Sequence, residues 1–424
     1  MKSHPNILWI VTTQWRAQAC GYAGDPNART PQLDALAAES VNYPEAVTPH
    51  PFGPMARAAL LTGVASPQNG VRDYFDALPA GARTIAHELR ERGYATAFFG
   101  KWGVGRRDPT VPVVGEAAAK VVVPAGERGG FELWEGFEGG FLLNDPWLHG
   151  SRLGEPRKFP GYQSDLVGGR AAAWLREQGA FVTAGAPADA CEHRAAAGTR
   201  RPWFAVVSWE APHPPYAAPA AGVTARQPGE ISLAGNVPRG GEVETRARRE
   251  LAGYYAQIEA TDRAIGRLLA DVRREDTVVV FTSVHGDMHG AHGLFRKGWP
   301  HEESVRVPLL IRGLGRGDAG RTDHAAISLV DLPALMVAAA ENRAPTIERA
   351  GARISMPSVV ALPHQCDRPW RGVRTRTRKL VLDERGEPWC FFELDQDPLE
   401  MKNLAGDPAR QEEMAALRAL AGLG

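Results

Sequence analysis

Short, continuous apolar runs that alternate with helical patterns are the feature that most constrains the fold of this chain. Residues 6–11 (Asn-Ile-Leu-Trp-Ile-Val) form the first run, and others follow at 94–99, 203–208, 277–282 and 309–312. An unbroken apolar run of this length is typical of a strand buried on both faces of a parallel sheet. Residues 244–274 instead carry apolar side chains at spacings of three and four, which predicts a long helix.

Helix boundary residues support the same alternation. Thr30 and Pro31 place a capping residue and a proline before a predicted helix at 32–40. Thr84 begins a second predicted helix, which ends at Gly93. Alternating strands and helices predict an α/β fold with a doubly wound, mostly parallel central sheet flanked by helices.

The pattern changes after a predicted helix at 329–340. Residues 370–382 alternate basic and apolar side chains, and a Glu-Arg-Gly-Glu turn connects them to 389–394, which predicts a small antiparallel sheet. Residues 407–423 have the pattern of an amphipathic helix.

The domain organisation follows from this change. We expect residues 1–345 to form an α/β domain that contains the pocket, and residues 346–424 to form a C-terminal subdomain with the small sheet and the terminal helix. Residues 105–130 and 179–201 lack a regular pattern and are predicted to be surface loops or insertions.

Composition disfavours several classes of partner. The 49 Lys and Arg balance 49 Asp and Glu, so the net charge gives no overall attraction to nucleic acid or to an anionic membrane. The four cysteines form no CxxC pair, which disfavours a zinc knuckle or a disulfide framework.

The first apolar run is too short for a signal sequence and no window reaches membrane-spanning length, so we expect a cytoplasmic protein. Whether it forms a homo-oligomer is left open.

Seven segments in a fixed order carry a family resemblance. They are residues 6–16, 30–37, 57–63, 93–102, 211–216, 302–308 and 395–404. Together they resemble the sulfatase and phosphonate monoester hydrolase branch of the alkaline phosphatase superfamily. The resemblance implies the doubly wound fold, a divalent cation held mostly by Asp, and a formylglycine nucleophile made from Cys or Ser in a Cys/Ser-x-Pro-x-Arg motif.

The chain departs from that family where the chemistry depends on particular residues. Thr13 stands where the first strand of the family supplies a metal-binding Asp, and Val284 stands where a later strand supplies another. Counting back from Arg57 puts Gly53 in the nucleophile slot, whereas alignment on Gly-Pro puts Phe52 there. Neither residue can become formylglycine, and neither Thr nor Val is an adequate ligand for a hard cation.

The chain nevertheless keeps cationic and titratable side chains at other positions of the resembled site. We therefore predict a diverged sulfatase-like enzyme with no cofactor and no bound metal, acting by acid–base chemistry on a small anionic substrate (sulfate, sulfonate, phosphate, phosphonate or carboxylate). The predicted catalytic residues are His213, His285, Lys101 and Lys297, and the predicted substrate-binding residues are Arg57, Gln14, Thr13, Phe52 and Gly53.

Other functions stay open at this point. One is a non-catalytic pseudo-sulfatase that binds an anion or a partner subunit. Another is an ester hydrolase with a rebuilt metal site, for which His285, Asp287, His289 and His292 offer ligands at short spacing. Cys20 follows the first strand and is a candidate replacement nucleophile. Lyase, cyclase, transferase and hydrolase reactions all remain open.

Overall fold

The computed structural model describes residues 4–179, 201–270, 272–315, 319–344, 347, 349–360 and 362–423. The predicted loop at 179–201 lies almost wholly outside the described residues, as do Cys191 and both sides of the predicted boundary between 345 and 346. That boundary stays a prediction.

A central mixed sheet contains every apolar run singled out above. Its strands are Asn6–Thr12 (β1), Val41–Asn42 (β2), Ala95–Lys101 (β3), Leu133–Phe137 (β4), Trp147–Gly150 (β5), Leu153–Lys158 (β6), Trp203–Ser208 (β7), Thr277–Ser283 (β8) and Leu309–Arg312 (β9). The order is β2-β9-β8-β1-β7-β3-β4-β5-β6. Strands β8, β1, β7, β3 and β4 pair in parallel, and antiparallel strands complete both edges.

Helices cover both faces of this sheet, as predicted. The described helices are Pro31–Ala38 (α1), Gly53–Thr62 (α2), Ile85–Glu91 (α3), Glu116–Ala119 (α4), Gln163–Glu177 (α5), Glu242–Leu269 (α6), Glu302–Val305 (α7), Leu332–Ala340 (α8) and Gln411–Leu420 (α9). Trp9 of β1 packs toward α2, α3 and α8, whereas its neighbours Leu8 and Ile10 pack toward α1, α5 and α6. This alternation along one strand builds two apolar cores and confirms the doubly wound α/β fold.

The C-terminal region forms the predicted antiparallel sheet, in which the predicted segment 370–382 is divided into two strands and an unpredicted strand precedes it. Its strands are Gly351–Met356 (β10), Trp370–Thr375 (β11), Arg378–Leu382 (β12) and Pro388–Glu393 (β13), in sequential order. Met414 and Leu417 of α9 pack on its apolar face. The sheet contacts the larger domain, since the indole of Trp370 donates to the carbonyl oxygen of Gly298 at 2.7 Å.

Some helix boundaries differ from the predicted ones. The long helix α6 ends at Leu269, five residues before the predicted end, and a 3₁₀ turn at Pro408–Arg410 precedes α9. Thr30 precedes α1 without a side-chain capping bond to its backbone, because its hydroxyl donates to the Asp34 carboxylate at 3.0 Å. In the described part of the chain, no helix combines the length and the apolar character needed to span a membrane.

Candidate functional site

The carboxyl ends of β1, β3, β7 and β8 meet at one edge of the central sheet, beside a cavity of about 470 Å³. All nine residues predicted from the sequence line this cavity: Thr13, Gln14, Phe52, Gly53, Arg57, Lys101, His213, His285 and Lys297. This is the edge at which open α/β sheets bind their ligands. The structure thus brings the predicted residues together, while their catalytic and binding roles stay predictions.

Lys297 is a buried cation whose hydrogen-bond partners are neutral. Its Nζ donates to Gln14 Oε1 at 2.5 Å and to His213 Nε2 at 3.0 Å, and no described carboxylate lies within ion-pair distance of it. Burial, and after it the nearby ammonium of Lys101, lowers the pKa of Lys297 from 10.5 to about 7. A bound anion would favour the charged form and counteract both effects.

A carboxylate behind the cavity fixes the orientation of Gln14. The amide Nε2 donates to Asp287 Oδ2 at 2.5 Å, and the hydroxyl of Tyr216 donates to the same oxygen at 2.7 Å. Two backbone N–H groups, each at 3.0 Å, occupy Oδ1 of Asp287. Because the amide nitrogen is bound to Asp287, the amide oxygen of Gln14 points to Lys297.

Lys101, the last residue of β3, is paired with a carboxylate that sequence analysis did not identify. Its Nζ lies 2.5 Å from Glu210 Oε1, and both side chains are buried. Burial lowers the pKa of Lys101 from 10.5 to about 8, and Glu210 opposes that shift. The ring of Phe141 covers the ammonium, with 4.6 Å between Nζ and the ring centroid.

Both candidate histidines are neutral, and hydrogen bonds assign their tautomers. His213 Nδ1 lies 2.9 Å from the carbonyl oxygen of Pro214, and His285 Nδ1 lies 2.9 Å from that of Gly286. A carbonyl oxygen only accepts, so each ring carries its proton on Nδ1 and Nε2 is the acceptor. His213 Nε2 accepts from Lys297, whereas His285 Nε2 has no partner among the described residues. Burial, and after it Lys297, lowers the pKa of both rings well below 6.5.

Arg57 connects helix α2 to the ends of three strands. Its guanidinium donates to Thr13 Oγ1 and Ser208 Oγ, both at 2.7 Å, and to the carbonyl oxygen of Lys101 at 3.0 Å. A Cβ at Gly103 would lie 2.8 Å from Arg57 Cδ. Arg57 therefore fills space that a side chain at 103 would need, and it supports the site as well as adding charge.

The residues at the family's metal position do not fit a divalent cation. Thr13 Oγ1 donates to a backbone carbonyl at 2.9 Å and accepts from Arg57. Val284 is fully buried and has no ligand atom in its side chain. The remaining oxygen, Oε1 of Gln14, faces the ammonium of Lys297. Hard cations require several free oxygen ligands, whereas this position holds cationic side chains.

The structure favours Gly53 over Phe52 for the nucleophile slot. Gly53 begins α2 one helical turn before Arg57, so the two positions share a helix face. A Cβ at Gly53 would have no described atom within 4 Å, which leaves room for a side chain in the cavity. Phe52 instead packs its ring edge-on against Tyr74, with centroids 5.7 Å apart. The slot is therefore held by a glycine, which has no nucleophilic side chain.

The four residues considered for a relocated metal do not gather three ligand atoms at metal-ligand spacing, although Asp287 Oδ2 and His289 Nε2 lie 3.9 Å apart. They are His285, Asp287, His289 and His292, and both oxygens of Asp287 already accept the hydrogen bonds described above. Among the described residues, the three side chains that do gather at metal-ligand spacing are His292, Glu303 and Glu400, and none of them lines the cavity. The geometry does not support a rebuilt metal site from the four residues.

Cys20 does not reach the cavity. Its side chain is fully buried, and it is not among the lining residues. Burial raises the pKa of the thiol from 9.0 to about 12, so the nucleophilic thiolate is not populated near neutral pH.

Sequence reasoning missed several groups around the cavity. Besides Glu210 and Phe141, these include Glu138, which forms an ion pair with Arg107 at 2.6 Å. Glu210 follows the apolar run 203–208 by two residues, so its position at a strand's carboxyl end was a usable signal. Glu138 and Phe141 follow strand β4 in the same way, but that strand was not predicted from the sequence, so its end gave no usable position.

Comparison with known proteins gives a consistent result. The sequence profile of the family described as Sulfatase matches residues 5–120 and 193–342. The ulvan-active sulfatase of Formosa agariphila is 33% identical over 95% of this chain and 78% of its own length. An arylsulfatase of Clostridium perfringens is 26% identical, over 98% of this chain and 93% of its own.

Solved structures show the same fold at low sequence identity. The yidJ protein of Bacteroides fragilis superposes with a TM-score of 0.82 at 21% identity, covering 100% of this chain and 96% of its own. The phosphonate monoester hydrolase of Agrobacterium radiobacter gives a TM-score of 0.67 at 21% identity, covering 99% and 96%.

Proposed function

The chain belongs to the sulfatase family, and from that premise we propose that it binds a small sulfate- or phosphonate-type ester in the cavity and hydrolyses it by acid–base chemistry. Family membership supports ester hydrolysis as the broad class, since the named relatives are sulfatases and a phosphonate monoester hydrolase. The proposed reaction uses neither a formylglycine nor a divalent cation at the family's metal position.

The unpartnered Nε2 of His285 is the observation that carries the proposal. A fully buried ring nitrogen without a partner is costly, and such groups are retained mainly where a ligand or water completes them. The tautomer makes this nitrogen a proton acceptor, and it lines the same cavity as the two lysines. Burial and Lys297 lower the pKa of this ring, and a bound anion would oppose the effect of Lys297 and so strengthen Nε2 as a general base.

The cations supply the binding site for the charged group. Lys297 and Lys101 offer ammonium hydrogens, and Arg57 adds a fixed positive charge at the strand ends. A charge-assisted hydrogen bond to an anion in such an enclosed site contributes about 1.5–3 kcal/mol. The cations would also stabilise the charge that develops on the ester oxygens in the transition state.

In the proposed reaction, His285 Nε2 takes a proton from a water molecule whose oxygen attacks the sulfur or phosphorus atom. The bond from that atom to the ester oxygen breaks, and its electron pair goes to the leaving oxygen. Lys297 donates a proton to that oxygen, and its pKa of about 7 suits a proton donor near neutral pH. His213 accepts from Lys297 and so orients this donor.

A non-catalytic anion binder is the second candidate, and the glycine in the nucleophile slot favours it. Such a protein would need the lysines but would not need a free imidazole base. His285→Ala separates the two functions, because a binder would keep its anion affinity and have no turnover to lose.

The test measures hydrolysis of a panel of nitrophenyl sulfate, phosphate and phosphonate esters, with metal content determined on the same dialysed sample. We expect turnover of at least one ester without stoichiometric divalent metal, and a loss of about 10²–10⁴-fold in His285→Ala. His324→Ala is the matched control, because His324 is an exposed histidine outside the cavity lining. Tightly bound divalent metal, chelation-sensitive activity, or full activity in His285→Ala would contradict the proposed reaction.

A further inference from the structure

The cavity has two chemically different zones. The deep zone holds the cations and imidazoles described above. The outer zone is walled by apolar side chains, namely Val113, Val114, Phe141, Pro214, Leu362 and Pro363. The walls come from the segment after β3, the loop after β4, the segment after β7 and the segment between β10 and β11, so four separate parts of the chain contribute apolar groups to one mouth.

Two residues of this wall are unusual for groups near solvent. Val114 is 60% exposed, at a loop position where a polar residue could stand equally well. Phe141 has a φ of 53°, a left-handed backbone conformation that is rare for residues with large side chains. Its ring stacks on His213, with centroids 4.5 Å apart and planes within 4°. The strained backbone therefore holds an aromatic surface directly over the reacting groups.

The charged groups Glu138 and Arg296 at the mouth are already paired within the protein. Glu138 accepts from the backbone N–H of Gly105 and pairs with Arg107. Arg296 forms an ion pair with Glu250 at 2.7 Å. A sugar would need free hydrogen-bond partners for its hydroxyl groups, because a buried hydroxyl without one is costly. Of the described lining, the Tyr74 hydroxyl and the Gln365 amide nitrogen are open to such a partner, whereas the outer wall presents mainly apolar surface.

We propose that the substrate carries an aromatic or branched apolar group next to its anionic head, and that the outer wall selects such compounds over sulfated sugars. This inference rests on the proposed function only in that the deep zone binds the anion. Apolar burial against the wall adds affinity for the organic group, and the cations add affinity for the head.

Calorimetric titration with three non-reacting or slowly reacting probes tests the selection: inorganic sulfate, benzenesulfonate and glucose 6-sulfate. We expect benzenesulfonate to bind at least about tenfold more tightly than sulfate, and glucose 6-sulfate to gain nothing over sulfate. The double variant Val114→Asn/Leu362→Asn should lose the advantage of benzenesulfonate and keep its affinity for sulfate, which also shows that the variant is folded.

The matched control is Val122→Asn/Val359→Asn. Val122 and Val359 are exposed by 47% and 44%, lie on the same two segments, and do not line the cavity. This variant should bind all three probes like the parent. Sulfate binding without a gain for benzenesulfonate, or equal binding of glucose 6-sulfate and benzenesulfonate, would overturn the substrate class alone. Failure of every probe to bind would overturn the anion site and the substrate class together.

Discussion

Two buried lysines of this molecule differ in the charge of the groups that they contact. Lys379 of β12 lies 2.8 Å from Glu302 Oε1 and 2.6 Å from Glu400 Oε1. Lys297 contacts a neutral amide and a neutral imidazole. Burial works against both charges, but the carboxylates overcome it and raise the pKa of Lys379, whereas the pKa of Lys297 falls to about 7.

The difference separates a structural charge from one suited to a ligand. Lys379 joins the C-terminal sheet to the larger domain, and its charge is fully matched inside the protein. Lys297 faces a cavity and lacks an anionic partner among the described residues. A buried cation of the second kind is a functional-site candidate because an incoming anion can supply the missing partner.

Lys379→Met should have the largest effect on the molecule. We expect a loss of about 3–5 kcal/mol in the free energy of unfolding, because Glu400 would be left buried without its cation, while Glu302 would keep its ion pairs with Arg374 and Arg306. Urea denaturation followed by circular dichroism measures this change. Lys297→Met is the matched variant and should unfold at the same or a higher urea concentration, since burial disfavours the charge that it removes. Equal losses in both variants would contradict the comparison.

Lys297→Met should weaken sulfate binding at least about tenfold, because it removes a charge-assisted hydrogen bond from the deep zone. Titration calorimetry at pH 6.5 measures the affinity. Lys402→Met serves as control, since Lys402 is exposed and outside the cavity lining. The role assigned to Lys297 would be refuted by an affinity within twofold of the parent.

The affinity for sulfate should fall as the pH rises from 6 to 9. Without an anion, Lys297 and Lys101 lose their protons around their pKa values of about 7 and about 8, so the protein must take up protons to bind an anion above pH 7. Titrations in buffers of different ionisation enthalpy measure this uptake. An affinity that does not change over this pH range would show that neither lysine contacts the anion.

Glu210→Gln should have the smallest of the four effects and should act through Lys101. Glu210 raises the pKa of Lys101 against the effect of burial, so its removal should move the midpoint of the pH profile for sulfate binding to lower pH. A purely structural role would lower the affinity at every pH without moving the midpoint. The exposed residue Glu230 provides the control variant Glu230→Gln.

The central strands could be predicted from sequence because burial on both faces leaves an unbroken apolar run. Strand β6 could not, since most of its side chains are exposed at the sheet edge. Lys101, His213 and His285 were predictable because they stand at or just after strand ends. The pairing of Glu210 with Lys101 was not, because a polar residue after a strand faces either solvent or a partner, and only tertiary packing decides between them.

The close approach of Gly103 and Arg57 limits which residues position 103 can hold. Position 103 has a φ of 67°, and any side chain there would collide with Arg57. Displacing Arg57 would in turn release its bonds to Thr13 and Ser208. A side chain introduced at position 103 should therefore disturb the ends of β1 and β7 unless a second substitution makes room for Arg57.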